Sequence, residues 1–155
     1  MIKPGQHIHF IGIGGIGMSG IASILLKQGY AVSGSDLKES PIIRRLAESG
    51  AGIFYGHSPA NINGADVVVY SSAIREDNPE LAYSRDKGLI VLRRAEALAS
   101  LMREKTCIAV SGAHGKTTTT ALASHLLLQA GFCPTAAIGG ILRNLEDNSC
   151  IGKSR

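Results

Sequence analysis

The chain has 155 residues, 45% hydrophobic and 18% charged, with 16 Lys+Arg against 12 Asp+Glu for a formal net charge of +4. That apolar content offsets chain entropy, so a folded globular chain is expected and a disordered one is excluded. The length suits one domain, or one and part of a second, and the scattered basic residues imply neither a nucleic-acid partner nor a membrane surface, while leaving anionic small ligands open.

Cys107, Cys133 and Cys150 are widely spaced and form no CxxC pair. Neither a disulfide framework nor a zinc site is indicated, and a reducing cytoplasm is the expected setting. Residues 4–26 hold no Asp, Glu, Lys or Arg and follow Lys3, which imitates a secretory signal. Gly12, Gly14, Gly15, Gly17 and Gly20 break the imitation, because each glycine inside a helix costs about 1 kcal/mol of propensity. A buried strand, a glycine turn and a helix account for the stretch better.

In chain order, residues 8–13 read as a strand buried on both faces. After the glycine turn, Met18, Ile21, Ala22 and Leu25 recur at helical spacing, with Gly29 closing the helix. Residues 30–35 form a second strand ending at Asp36. Ser40 and Pro41 open a second helix that stops at Gly50, and residues 52–55 make a third strand. The β-branched run 66–70 is a fourth strand. Asn78 and Pro79 repeat the cap-then-proline signal for a helix reaching about Lys87, residues 89–92 are a fifth strand, and 95–103 are helical. Strands alternating with helices predict a Rossmann-like, doubly wound parallel sheet over residues 1–103.

The pattern then restarts near Glu104. Residues 107–111 read as a strand, 112–116 as a second glycine turn, and 117–130 as a helix closed by Gly131. Some fifty residues with up to three strands are too few to bury both faces of a parallel sheet. The expectation is therefore that 104–155 begins a P-loop α/β ATPase domain within a longer protein.

Two motifs carry the chemistry. Gly12-Ile-Gly14-Gly15-Ile16-Gly17 fits G-x-G-x-x-G between strand and helix, and Asp36 stands nineteen residues beyond its last glycine. Such a turn admits a diphosphate to the helix N-terminus, where the dipole favours an anion, and the acid suits a ribose hydroxyl or base edge. The bland alternative is a tight turn beside a solvated Asp36. The second motif, Ser111-Gly112-Ala113-His114-Gly115-Lys116-Thr117-Thr118, has the G-K-T core of a P-loop. There backbone amides wrap phosphates, Lys116 reaches the β/γ-phosphates and the Thr117 hydroxyl ligates Mg²⁺. Val110 stands where the general motif has its first glycine, and Thr117 to Thr120 are poor helix formers, which is tolerable where hydroxyls serve a ligand. Two phosphate cradles argue for an enzyme joining two nucleotide-bearing events. An NAD-dependent oxidoreductase would leave the second cradle unused, and a nucleotide-sensing module would use both without chemistry.

These segments, with Ser33-Gly-Ser-Asp-Leu37, Ser71-Ser-Ala-Ile74, Asp77-Asn-Pro79 and Arg93-Arg-Ala-Glu96, together resemble the Mur ligases over essentially the whole chain. The short loop lacking the first Walker glycine is what that family uses. The resemblance implies that the first domain binds UDP-N-acetylmuramate rather than NAD, with Gly12, Gly14, Gly15, Ile16 and Gly17 along the diphosphate. It implies Asp36 near the uridine, and His57, Ser71 and Ser72 bordering the same crevice. The implied reaction is ATP-driven formation of an amide with L-alanine through an acyl phosphate. Lys116 and Thr117 would be the catalytic residues, Thr117 the Mg²⁺ ligand, and Gly112, Ala113, His114, Gly115 and Thr118 further ATP contacts. A family member that recycles muropeptides onto the same UDP-sugar would share both cradles. Arg93 and Arg94 either steer an anion or are a solvated pair. His125, Cys133, Glu146 and Asp147 are expected to pack or face solvent. The chain alone is expected to bind without catalysing.

Overall fold

Strands β1 (His7–Ile11), β2 (Ala31–Asp36), β3 (Gly52–Tyr55), β4 (Val67–Tyr70) and β5 (Ile90–Arg93) form an all-parallel sheet in the order β3-β2-β1-β4-β5. The computed structural model describes residues 2–103, 105–142, 147–150 and 152. Helices α1 (Ile16–Lys27), α2 (Pro41–Glu48), α3 (Pro79–Asp86) and α4 (Arg94–Met102), with a short 3-10 helix at Pro59–Ile62, make the connections. This is the doubly wound order of a Rossmann-like fold. The strand order reverses at β1 and β4, so the ligand crevice opens at their carboxyl ends.

The two faces of the sheet differ. On one, Ile8, Phe10, Val32, Val67 and Val69 pack with Met18, Ile21 and Leu25 of α1, Ile43 and Leu46 of α2, and Ala97 of α4. On the other, Ile11, Val68 and Tyr70 meet Ile62, Ala65 and Leu81 in a smaller apolar cluster. Because strand side chains alternate, His7, His9, Ser33 and Ser35 share this second face with Ile11. It therefore combines a small core with buried polar groups.

The helix boundaries follow their punctuation. Ser40 accepts a hydrogen bond from the Ile43 amide at 3.2 Å, with Pro41 behind it, and Asn78 accepts from the amides of Glu80 and Leu81 at 3.0 and 3.1 Å. α1 carries no charge before Lys27, and residues 18–25 are all buried. The sheet and the strands β6 (Ala136–Leu142) and β7 (Asp147–Cys150) both pack against it, as a helix apolar on every side requires.

One close approach was not legible in advance. A Cβ on Gly34, in the middle of β2, would stand 2.6 Å from Ile13 Cδ1 and 2.7 Å from both Ile13 Cβ and the Phe10 carbonyl oxygen. Glycine here lets the chain leaving β1 fold down onto its neighbour. Ile13 consequently lies outside the strand, since the amides of Gly12 and Ile13 both donate to the Ser35 carbonyl, at 2.8 and 3.0 Å.

Beyond residue 105 the chain forms α5 (Lys116–Gln129) and the antiparallel pair β6 and β7, in which Ala136 faces Cys150 and Leu142 faces Asp147. Residues 107–111, expected as a strand, are not one. A strand needs a hydrogen-bonding neighbour, the described residues supply none, and Ile108 is 73% exposed. The expected boundary at Glu104, together with Glu146 and residues 153–155, lies outside the described residues.

Candidate functional site

At the carboxyl end of β1 the backbone turns through Gly12, whose φ of +80° suits glycine. The Gly15 amide donates back to the Gly12 carbonyl at 3.2 Å, and the Gly14 amide donates to Asp36 Oδ2 at 2.9 Å. Asp36 Oδ1 accepts from the Leu37 amide at 2.8 Å. Asp36 therefore ties the end of β2 to the glycine turn. A Cβ on Gly14 would stand 2.9 Å from both Asp36 Oδ2 and Ile43 Cδ1, so glycine is needed here for packing within the protein.

The amides of residues 12–15 are thus engaged internally, and the positive end of α1 is what faces outward. No side chain caps α1 and no acidic residue occupies its first turn. Arg94, at the start of α4, lies across Gly17, where a Cβ would meet its Cδ at 3.0 Å and its Nη1 at 3.1 Å. A guanidinium beside a helix N-terminus adds positive charge to positive dipole, a juxtaposition that an anion relieves. Arg93 turns elsewhere, donating from Nε to the Tyr70 hydroxyl at 3.2 Å. Ser71 follows β4 and lies beside Gly12, and exposed Ser72 shares its turn. Gly12, Gly14, Gly15, Ile16, Gly17, Asp36, Ser71 and Arg94 therefore gather at one end of the sheet.

His57, two residues beyond β3, is held from below. Its Nδ1 lies 2.9 Å from Glu80 Oε2 and 3.1 Å from Ser35 Oγ, and its side chain is 14% exposed. Glu80, in the first turn of α3, is fully buried. Ser35 Oγ donates to its Oε2 at 2.5 Å and Asn61 Nδ2 to its Oε1 at 2.6 Å, while His9 Nε2 stands 3.7 Å from Oε1 as an electrostatic contact beyond hydrogen-bond reach. Burial pushes the Glu80 carboxyl up, but His9, Ser35, Asn61 and His57 together outweigh this and bring it down to about 2. The row continues through His9 Nδ1 and His7 Nε2, both 2.8 Å from Ser33 Oγ.

The second cradle is formed by residues 111–115 and the start of α5. Gly115 precedes the helix at φ +77°, and no side chain caps it. Lys116 folds back so that Nζ donates to the carbonyls of Gly112 and Ala113. β6 crosses Thr117 closely, since a Cβ on Gly140 would lie 3.0 Å from Thr117 Cγ2. The threonine run has a local use: Thr120 Oγ1 donates to the Lys116 carbonyl at 2.8 Å, and Ser124 Oγ to that of Thr120 at 2.7 Å. Ala113, His114 and Thr118 are exposed around the loop, and His125 faces solvent. Among the described residues no group of three His, Cys, Asp or Glu side chains is placed to hold a metal ion.

A family model, the Mur ligase family catalytic domain, matches residues 7–106. The chain belongs to the Mur ligase family. It is 54% identical to the UDP-N-acetylmuramate–L-alanine ligase of Desulfatibacillum aliphaticivorans, over 98% of this chain and 33% of that protein. It is 55% identical to the ligase of the same name from Myxococcus xanthus, over 98% of this chain and 32% of that protein. Among solved structures it superposes on the UDP-N-acetylmuramate–alanine ligase of Thermotoga maritima with a TM-score of 0.88 and 38% identity, covering 95% of this chain and 35% of the other. The chain spans about a third of the length of the curated relatives it matches.

Within this Mur ligase chain, the polar row around Glu80 is what sequence reasoning missed. The signal was present: His7 and His9 on β1, and Ser33 and Ser35 on β2, repeat with period two in strands that are apolar at every other position but the terminal Asp36. Glu80 itself carried no such signal, because a carboxylate in the first turn of a helix ordinarily serves the dipole from the surface.

Proposed function

We propose that the protein to which this chain belongs joins L-alanine to the carboxylate of UDP-N-acetylmuramate at the expense of ATP, and that this chain supplies the UDP-sugar site and part of the ATP site. The observation that carries the reading is the pairing of an uncapped α1 with Arg94 across Gly17, an anion site at the glycine turn that Asp36 braces. With the loop amides engaged internally, the diphosphate meets the first turn of α1 and Arg94, while Gly12 and Gly14 shape the turn. Ser71, Ser72, Asp36 and His57 line the crevice around the nucleoside and sugar.

In the reaction the muramoyl carboxylate oxygen attacks the γ-phosphorus of ATP, forming an acyl phosphate and releasing ADP. The alanine amine then attacks the acyl carbon, phosphate leaves, and the nitrogen gives up a proton. Lys116 offsets charge on the transferred phosphoryl as its ammonium exchanges the loop carbonyls for phosphate oxygens. The Gly112–Gly115 backbone wraps the phosphates with His114 and Thr118 at the rim. The Thr117 hydroxyl at the start of α5 is an oxygen donor of the kind Mg²⁺ accepts. When bound there, Mg²⁺ would neutralise charge on the phosphates. Residues 1–103 serve as the UDP-sugar domain and 104–155 as the start of the ATPase domain. ATP supply sets the reaction in the cytoplasm, and among the described residues no helix is long and apolar enough to cross a membrane.

A muropeptide-adding ligase shares this architecture: one from Neisseria meningitides matches with a TM-score of 0.87 at 31% identity. The 54% and 55% identities to alanine ligases favour alanine. The test is ADP formation by the full-length protein. Dependence on both UDP-N-acetylmuramate and L-alanine supports the reading, whereas preference for a peptide over alanine contradicts it.

A further inference from the structure

Strand β6 carries two adjacent glycines, Gly139 and Gly140, where it crosses the start of α5. Glycine inside a strand weakens it and often marks a place where another part of the structure approaches closely. Backbone conformation does not call for glycine here, because neither residue has a positive φ. Space does. A Cβ on Gly140 would stand 3.0 Å from Thr117 Cγ2 and a Cβ on Gly139 3.5 Å from Thr117 Oγ1, and among the described residues no other heavy atom would lie within 4 Å of either. The two glycines therefore lie against the two arms of one threonine side chain. The register of β6 with β7 also shifts between Ala137 and Leu142, so β6 leaves the regular ladder along the stretch that meets Thr117.

A threonine in a helix divides between two χ1 rotamers, and its contacts decide which one it keeps. Thr120 is held by the hydrogen bond from its Oγ1 to the Lys116 carbonyl, four residues back. For Thr117 the residue four back is Ala113, in the loop before the helix, whose carbonyl accepts from Lys116 Nζ. We propose that Gly140 is a positioning residue of the ATP site: its missing side chain makes the seat for the Thr117 methyl, and that seat keeps the hydroxyl of the same side chain on the side of Gly139, which adds no side chain beside it. The hydroxyl so held is the oxygen offered to nucleotide-bound Mg²⁺. This rests on the ATP reading above. Methyl and hydroxyl share one Cβ, so a side chain at position 140 that displaces the methyl rotates the hydroxyl with it.

Two measurements on the full-length protein test this. In the wild type a nuclear Overhauser contact joins the Thr117 methyl to the Gly140 α-protons without nucleotide present. Displacement of a fluorescent nucleotide then gives the affinity for ATP with Mg²⁺. Gly140→Ala is expected to weaken it by about tenfold or more, as disturbing a group that orients a metal ligand does, and to leave the affinity for ATP in excess EDTA unchanged. Thr117→Ser keeps the hydroxyl and removes the methyl, so in that background adding Gly140→Ala changes the affinity by no more than about twofold. This rescue separates loss of the seat from loss of the fold, since a misfolded protein regains nothing when one methyl is removed. Absence of the wild-type contact, which needs no variant to fold, overturns the proposal. So does an unchanged affinity in Gly140→Ala, a loss equally large in EDTA, or a loss undiminished in Thr117→Ser. A wild-type protein that shows the contact and fails to bind ATP with Mg²⁺ overturns the ATP reading instead, and the contact tells the two failures apart.

Discussion

The Gly14 amide donates to Asp36 Oδ2 at 2.9 Å, so the carboxylate ending β2 braces the turn that leaves β1. Asp36→Ala removes that acceptor and is expected to cost about 1–2 kcal/mol of stability, the cost of an unmet amide. Gly14→Ala drives a Cβ against Asp36 and the buried Ile43, for an expected loss of about 1–3 kcal/mol. Urea unfolding of the two variants checks both, and a Gly14→Ala protein as stable as wild type contradicts the packing described.

Gly34→Ala is expected to be the worse substitution. At Gly14 the obstacles are side-chain ends, whereas at Gly34 they include the Phe10 carbonyl oxygen and Ile13 Cβ. Backbone must move, separating β2 from β1. A midpoint for Gly34→Ala at or above that of Gly14→Ala counts against this ranking.

Acid stability should report on Glu80. Its carboxyl lies at about 2 in the fold against 4.5 in the open chain, so its ionised form stabilises the protein above pH 4.5. That contribution, on the order of 3 kcal/mol, is lost as pH falls from about 4.5 through about 2. Glu80→Gln should flatten the stability profile across that window, as followed by circular dichroism against pH. An unchanged acid slope contradicts the assignment.

Much of this was legible in the sequence because its punctuation is local. Ser40-Pro41 and Asn78-Pro79 cap their helices through hydrogen bonds two or three residues away, and the Asp66–Tyr70 run needed only its β-branched residues to be read. What stayed hidden depends on neighbours remote in sequence. The strand expected at 107–111 has no adjacent strand among the described residues, and the partners of Glu80 come from β1, β2, the 3-10 helix and the segment after β3. The glycine motif announced a cradle. It did not announce that Asp36 and Ser35 already occupy several of its amides.

The two cradles should respond independently. Lys116→Ala and Thr117→Ala are expected to weaken ATP binding by tenfold or more, as removal of a phosphate-paired ammonium or an Mg²⁺ oxygen does, and to leave UDP-sugar affinity within about twofold. Arg94→Ala should do the reverse, with a smaller salt dependence of UDP-sugar binding. Fluorescent nucleotide displacement at two ionic strengths measures both, and a crossed effect contradicts the separation.

The most direct test of the central claim is calorimetric titration of the chain with UDP-N-acetylmuramate and, separately, with NAD, repeated on Gly14→Val and Asp36→Ala. The account predicts saturable binding of the UDP-sugar, weakened in both variants, and none of NAD. Binding of NAD in place of the UDP-sugar would contradict it.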